Sequence, residues 1–266
     1  MDRPDDPLVA PLPDELPLAD APLVRVIAQV RFPDILSIER RDFVAPFQEA
    51  LRADYPALRQ ERVQNASFGP DGVSASASPV VWRFTDESGA WRVSLSIGFL
   101  SLETVRYESR TNLLARLRTL LKALQEHLSP RLVDRIGVRY IDRIVGEAVD
   151  EVSELVRPEL LGVLGTAMGE RAGHSLTESA FRLPDGAALL ARWGSVPPNA
   201  TADPNAIEPV PERSWILDLD VSTTERSSFD VDAVVATAER FAERAYTVFR
   251  WAVTDAFLRR YGGHVE

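Results

Sequence analysis

Arginine recurs at every fourth position in R-I-G-V-R-Y-I-D-R-I, residues 135 to 144. In a strand of period two, Arg135, Arg139 and Arg143 share one face with Gly137, while Ile136, Val138, Tyr140, Asp142 and Ile144 take the other. A guanidinium forks onto phosphate or carboxylate oxygens, so the arginine face is the first candidate for a ligand or interface surface. Alignment of neighbouring strands by their apolar residues adds Arg25, Arg31, Arg83 and Arg92 to that face. Ser94, Ser96 and Gly98 are its small neighbours, and Gly137 leaves room for close approach. The competing reading is ionic cement, in which this face meets the other half of the protein with Asp218 and Asp220 as ionic partners, or a solvated surface. Tyr140 and Asp142 fall on the apolar face, where a carboxylate needs a partner, and an arginine is the expected one.

Other constellations are weaker. Asp218 and Asp220 stand two apart in W-I-L-D-L-D-V and project together, as carboxylates that share a divalent cation must. The Gly194-Ser195 turn that a nucleotidyltransferase needs is separated from them by a proline-rich stretch, so they are weak metal candidates. His127, His174 and His264 show no metal-binding spacing. Ser175, Thr177 and Ser179 alternate beside His174 without the elbow of a serine nucleophile. Gly162, Gly165 and Gly169 do not space as a phosphate cradle. No catalytic residue, metal or cofactor is expected.

Composition sets the frame. The 266 residues are 45% hydrophobic, enough for a sizeable core, and contain no cysteine, which excludes disulfides and thiol chemistry. The net charge of −10 disfavours nucleic acid and anionic lipid. M-D-R-P-D-D-P is no signal peptide and no stretch reads as a membrane span, so the expected location is cytoplasmic. Lys122 is the single lysine, a skew that weakens any one arginine as a sign of bidentate recognition.

Residues 1–20 read as a disordered acidic, proline-rich tail. L-V-R-V-I-A-Q-V-R-F, residues 23 to 32, alternates as a strand with Val24, Val26, Ala28, Val30 and Phe32 inward. Asp42 can cap a helix that carries Phe43, Phe47, Ala50 and Leu51, with Pro46 in its first turn. S-P-V-V-W-R-F, D-E-S-G and A-W-R-V-S-L-S-I-G form a hairpin. Leucines 113, 114, 117, 120, 121, 124 and 128 stripe a helix ended by Pro130. A-L-L-A-R-W-G and W-I-L-D-L-D-V read as strands. Asp230 can cap a last long helix running through Val231 to Phe257, ended by Gly262 and Gly263.

The predicted class is α+β, mostly antiparallel sheets with helices packed on one face. Strand, Trp-led strand and long helix occur twice, which suggests an internal duplication into two similar half-domains at 21–148 and 149–266. Residues 195–213 form a proline-rich, solvated loop in the second.

The runs A-P-L-V-R-V-I-A-Q-V-R-F-P-D-I-L-S-I, F-Q-E-A-L-R-A-D-Y-P and R-I-G-V-R-Y-I-D-R-I resemble a sporadically distributed bacterial family of about this length, from about Ala21 to Gly263. Its most specific mark is the R-x-G-x-R-Y strand. Members usually have asparagine where Asp142 stands, which implies a hydrogen-bonding role there. The resemblance implies one fold and carries no catalytic residues; the patchy distribution suggests accessory loci, such as defence or toxin–antitoxin neighbourhoods. The expected function is a non-enzymatic binding or protein-interaction module with a protein partner. Pairing of two copies is a generic expectation. The alternative is a sensor or enzyme that takes a phosphorylated small molecule or nucleic acid end on the arginine face.

Overall fold

The computed structural model describes residues 6–62, 66–69, 72–75 and 79–264. The alternating run at the start forms β1 (Leu23–Arg31), with Val26, Ala28, Val30 and then Phe32 buried. The strands that follow are β2 (Ala57–Arg62), β3 (Ala66–Gly69), β4 (Gly72–Ala75), β5 (Val80–Thr85), β6 (Trp91–Ser96) and β7 (Phe99–Thr104). Next in the chain are β8 (Leu132–Val133), β9 (Arg135–Val145), β10 (Ser175–Arg182), β11 (Ala188–Val196), β12 (Ser214–Thr223) and β13 (Ser227–Ser228). The helices are α1 (Arg41–Leu51), α2 (Arg110–His127), α3 (Val152–Leu155), α4 (Pro158–Leu161), α5 (Val231–Ala252) and α6 (Asp255–Arg260). Nine strands make one sheet in the order β10-β11-β12-β9-β1-β7-β6-β5-β2. The architecture is the expected α+β class. No helix among the described residues is long and apolar enough to cross a membrane.

The hairpin forms in the register its pattern predicts, Trp82 opposite Leu95 and Phe84 opposite Val93. The leucine stripe is buried along α2, whose Ser109 side chain accepts the Asn112 N–H. Asp230 likewise caps α5 through the Ala233 N–H. Two helix boundaries differ from expectation. Asp42 lies in the first turn of α1, paired with Arg40, and Pro46 sits deeper inside the helix. The last helix is broken at Val253, which bridges to Val156, while Thr254 caps α6 through the Phe257 N–H and donates to the Glu154 carbonyl.

Chain contacts divide the molecule into two compact units. The first is Met1–Val26, Val138–Thr223 and Arg240–Glu266; the second is Ile27–Gly137 and Thr224–Glu239. Each is therefore assembled from interleaved segments rather than from consecutive halves.

Both proline-rich stretches are packed within the first unit. Arg244 donates to the carbonyls of Pro7 and Ala10, the Tyr246 hydroxyl accepts the Leu16 N–H, and the Asp20 N–H reaches the Tyr261 carbonyl. The expectation of a disordered tail therefore fails over residues 6–20; residues 1–5 lie outside the described residues. The physical reason is twofold. Prolines reduce the freedom the segment loses on docking, and side chains of α5 supply partners to a backbone that has no ladder of its own. The 195–213 loop is not simply solvated either. Ala206 and Ile207 are buried, Thr201 donates to the Ile207 carbonyl, and the Asn199 N–H reaches Val210.

Candidate functional site

β9 keeps the two faces read from its sequence: Ile136, Val138, Asp142 and Ile144 are buried, while Arg135, Arg139 and Arg143 are half-buried. Arg139 is the centre of a charged cluster in the first unit. Its Nε and Nη2 donate to the two carboxylate oxygens of Asp218, both at 2.7 Å, and its Nη1 donates to Asp203 at 2.9 Å. Asp218 lies on β12 directly opposite Arg192 of β11, whose guanidinium is 3.6 Å from the same carboxylate. Arg192 in turn pairs with Glu178 on β10. The Asp218 side chain is 2% exposed and that of Arg139 16%.

Burial alone would lower the pKa of Arg139, but hydrogen bonds and charge from Asp218, then Asp203, hold it above the ordinary arginine value. Burial would conversely raise Asp203, and Arg139, the Asn205 N–H and Arg192 together hold it below the usual carboxylate value. Both groups are thus fixed in their charged forms, as a hydrogen-bonded ion cluster requires. Asp218 is accordingly a partner of arginine, as the ionic-cement reading has it. No group of three or more metal-binding side chains occurs among the described residues, and Asp220 is half-buried beside Leu190 in register.

The second unit carries a similar cluster. Arg92 donates to Glu103, the residue opposite it on β7, and Arg83 lies 4.0 Å from the same carboxylate. Arg83 also donates to Glu61 and to the Ser94 hydroxyl, each at 2.7 Å. Arg135 donates to Gln29, and its guanidinium lies over Gly137, where an added Cβ would stand 2.5 Å from Nη1. The glycine does admit a close approach, and the group that approaches is the chain's own arginine.

Arg143 has a different setting. Burial, then the neighbouring Arg25, lower its pKa, against a smaller opposing effect of Glu208. Asp142 departs from the expected arginine pairing: burial, then the negative charge of Asp218, push its carboxyl up to about 7. Tyr140 is half-buried.

Glu103, Glu61, Arg192 and Asp203 were not among the candidates read from the sequence. Glu103 and Arg192 become visible once strand register is known, since each stands directly opposite a candidate of opposite charge. Asp203 has no such signal, because a loop places it. No protein-family model matches this chain, and no curated protein is detectably similar to it.

Proposed function

We infer that this chain is a non-enzymatic protein-interaction module, of the kind carried by bacterial accessory loci such as defence or toxin–antitoxin neighbourhoods. The observation that carries this reading is the edge strand β10. Among the described residues it ends the sheet and pairs only with β11, and it runs its whole eight-residue length in unbroken register. Exposed edges are normally blunted by charge, proline or a bulge. The opposite edge, β2, is so protected by Arg59, Glu61 and Arg62. β10 has no proline or bulge; of its two exposed charges Glu178 is paired with Arg192 of the neighbouring strand and Arg182 ends the strand, and Thr177, Ala180 and Phe181 are exposed beside them. Such an edge suits strand addition by a partner, with backbone hydrogen bonds for affinity and alternate side chains for selection.

The arginine clusters support the reading from the other side. Arg83, Arg92 and Arg139 are already bonded to carboxylates of the chain, so an incoming phosphate would have to displace those carboxylates. A phosphorylated ligand is favoured by one observation only, the proximity of half-buried Arg143 to Arg25. Titration with nucleotide phosphates before and after Arg143→Ala tests that second reading.

The main test is affinity capture of the proteins encoded beside this gene, by the chain and by its Thr177→Lys and Ala180→Pro variants. Capture that falls at least tenfold in both variants is expected. A chain that remains a partnerless monomer with all of these proteins overturns the reading.

A further inference from the structure

The edge strand β10 carries one charge of each sign, and the two are held differently. Glu178 is paired with Arg192 of β11, yet its side chain remains 56% exposed. Arg182 is exposed, stands opposite the uncharged Ala188, and meets no carboxylate among the described residues. The two are separated by an even number of positions and so share one face of the strand with Leu176 and Ala180. The other face presents Thr177, Ser179 and Phe181. Phe181 there joins Leu189, Ala191 and Trp193 of β11 around an apolar cavity of about 250 Å³. An edge with an unmatched cation and an exposed anion is complementary to its own copy turned end for end.

Symmetry narrows how two such edges can meet. A two-fold axis normal to the sheet makes the strands antiparallel and keeps like faces together. Residues opposite one another then come from the same face, so the axis passes between one residue and its own copy. An axis at Glu178 sets two carboxylates directly opposite, which is destabilising. An axis at Thr177 or Ala180 leaves only five residues of the strand in the ladder. An axis at Ser179 pairs Leu176 through Arg182, seven of the eight residues. Thr177 then faces Phe181 of the second copy, a β-branched residue against an aromatic one. Arg182 lies across from Leu176 of the second copy and diagonal to its Glu178, and symmetry repeats each contact.

We propose that β10 pairs antiparallel with β10 of a second copy of this chain, about a two-fold axis at Ser179, so that two nine-stranded sheets join edge to edge. The proposal rests on the reading of β10 as an interaction edge and names its occupant when no other partner is bound. A standard interface has roughly 20 to 30 residues a side, far more than this ladder. The pair is therefore reversible and concentration-dependent, and another protein's strand takes the edge by displacing the copy.

The chain has no cysteine, so single cysteines report the register without background. Under mild oxidation of the full chain, Ser179→Cys is expected to form a covalent dimer at least fivefold faster than Glu178→Cys or Ala180→Cys. Only the residue on the axis brings its two Cα atoms within the roughly 4.4–6.8 Å that a disulfide spans. Sedimentation equilibrium should show a reversible dimer, and Arg182→Glu, which breaks no ion pair within the chain, should raise its dissociation constant at least tenfold. A monomer up to millimolar concentration, faster crosslinking at Glu178→Cys or Ala180→Cys, or an unweakened Arg182→Glu dimer overturns the proposal. A monomer that still captures a protein encoded beside this gene overturns this proposal alone. A dimer with the expected register that captures none of them supports it and overturns the accessory-partner reading alone.

Discussion

Arg139 and Arg192 share Asp218, and Arg83 and Arg92 share Glu103: each unit joins one buried carboxylate to two arginines. Asp218 comes from the strand between β9 and β11, and Glu103 from β7, beside Arg92 on β6 and two strands from Arg83 on β5. A second carboxylate completes each cluster, and here they differ. In the second unit it is Glu61 on the edge strand β2, with its side chain 46% exposed. In the first it is Asp203, brought by the folded loop 64 residues along the chain from Arg139 and only 20% exposed. The same ingredients therefore do different work. An exposed pair contributes little because water and salt screen it. A deep pair costs much to desolvate, and breaking it strands a charge.

This contrast orders the expected effects of substitution. Arg139→Ala leaves Asp218 with only the longer contact to Arg192 and should cost about 3 to 5 kcal/mol of stability in urea denaturation. A loss no larger than that of an exposed pair would erase the distinction between the clusters.

Asp142→Asn separates the units by pH. The Asp142 carboxyl is raised to about 7 in the fold, so the folded chain holds a proton that the unfolded chain releases near pH 4. The stabilisation is complete below that value and is lost as pH rises through about 7. Asparagine removes the dependence and should stabilise the protein at pH 8 by on the order of 3 kcal/mol. Melting curves from pH 5 to 8 that stay parallel for the two proteins would sink this assignment.

Asp203→Ala keeps the Arg139–Asp218 pair and removes the loop's clamp, with an expected cost of about 2 kcal/mol, the scale of a charged hydrogen bond. Glu61→Ala should cost less than about 1 kcal/mol, and raised salt should shrink that difference further. A double-mutant cycle for each arginine with its second carboxylate measures the contrast directly.

The sequence made the regular elements legible because their apolar periods are strong. β1, the β5–β6 hairpin, α2 and most of α5 follow from alternation or helical spacing and from side chains that cap. The residues of β9 that face each way were equally readable. What composition misjudged were the two proline-rich stretches. Low hydrophobicity suggests inability to pack, yet Ala10 and Ile207 are buried and Arg244 and Tyr246 satisfy backbone groups of residues 7–16. The arginine clusters were half legible: the cations stand out in one strand, but their carboxylates lie on other strands or in a loop. Asp218 was the exception, since its alternation with Asp220 marked it, though for a metal as well as for an arginine.

The docked segment at residues 6–20 also bears on how the chain is made. Its hydrogen bonds to α5 span about 230 residues of sequence, so on a translating ribosome this segment emerges first and finds its seat last. The second unit's hairpin and α2 can close while synthesis continues, but the first unit must wait for the chain beyond Tyr246. Vectorial synthesis therefore leaves residues 6–20 without their seat until α5 emerges, which makes the interval before α5 the aggregation-prone stage of folding.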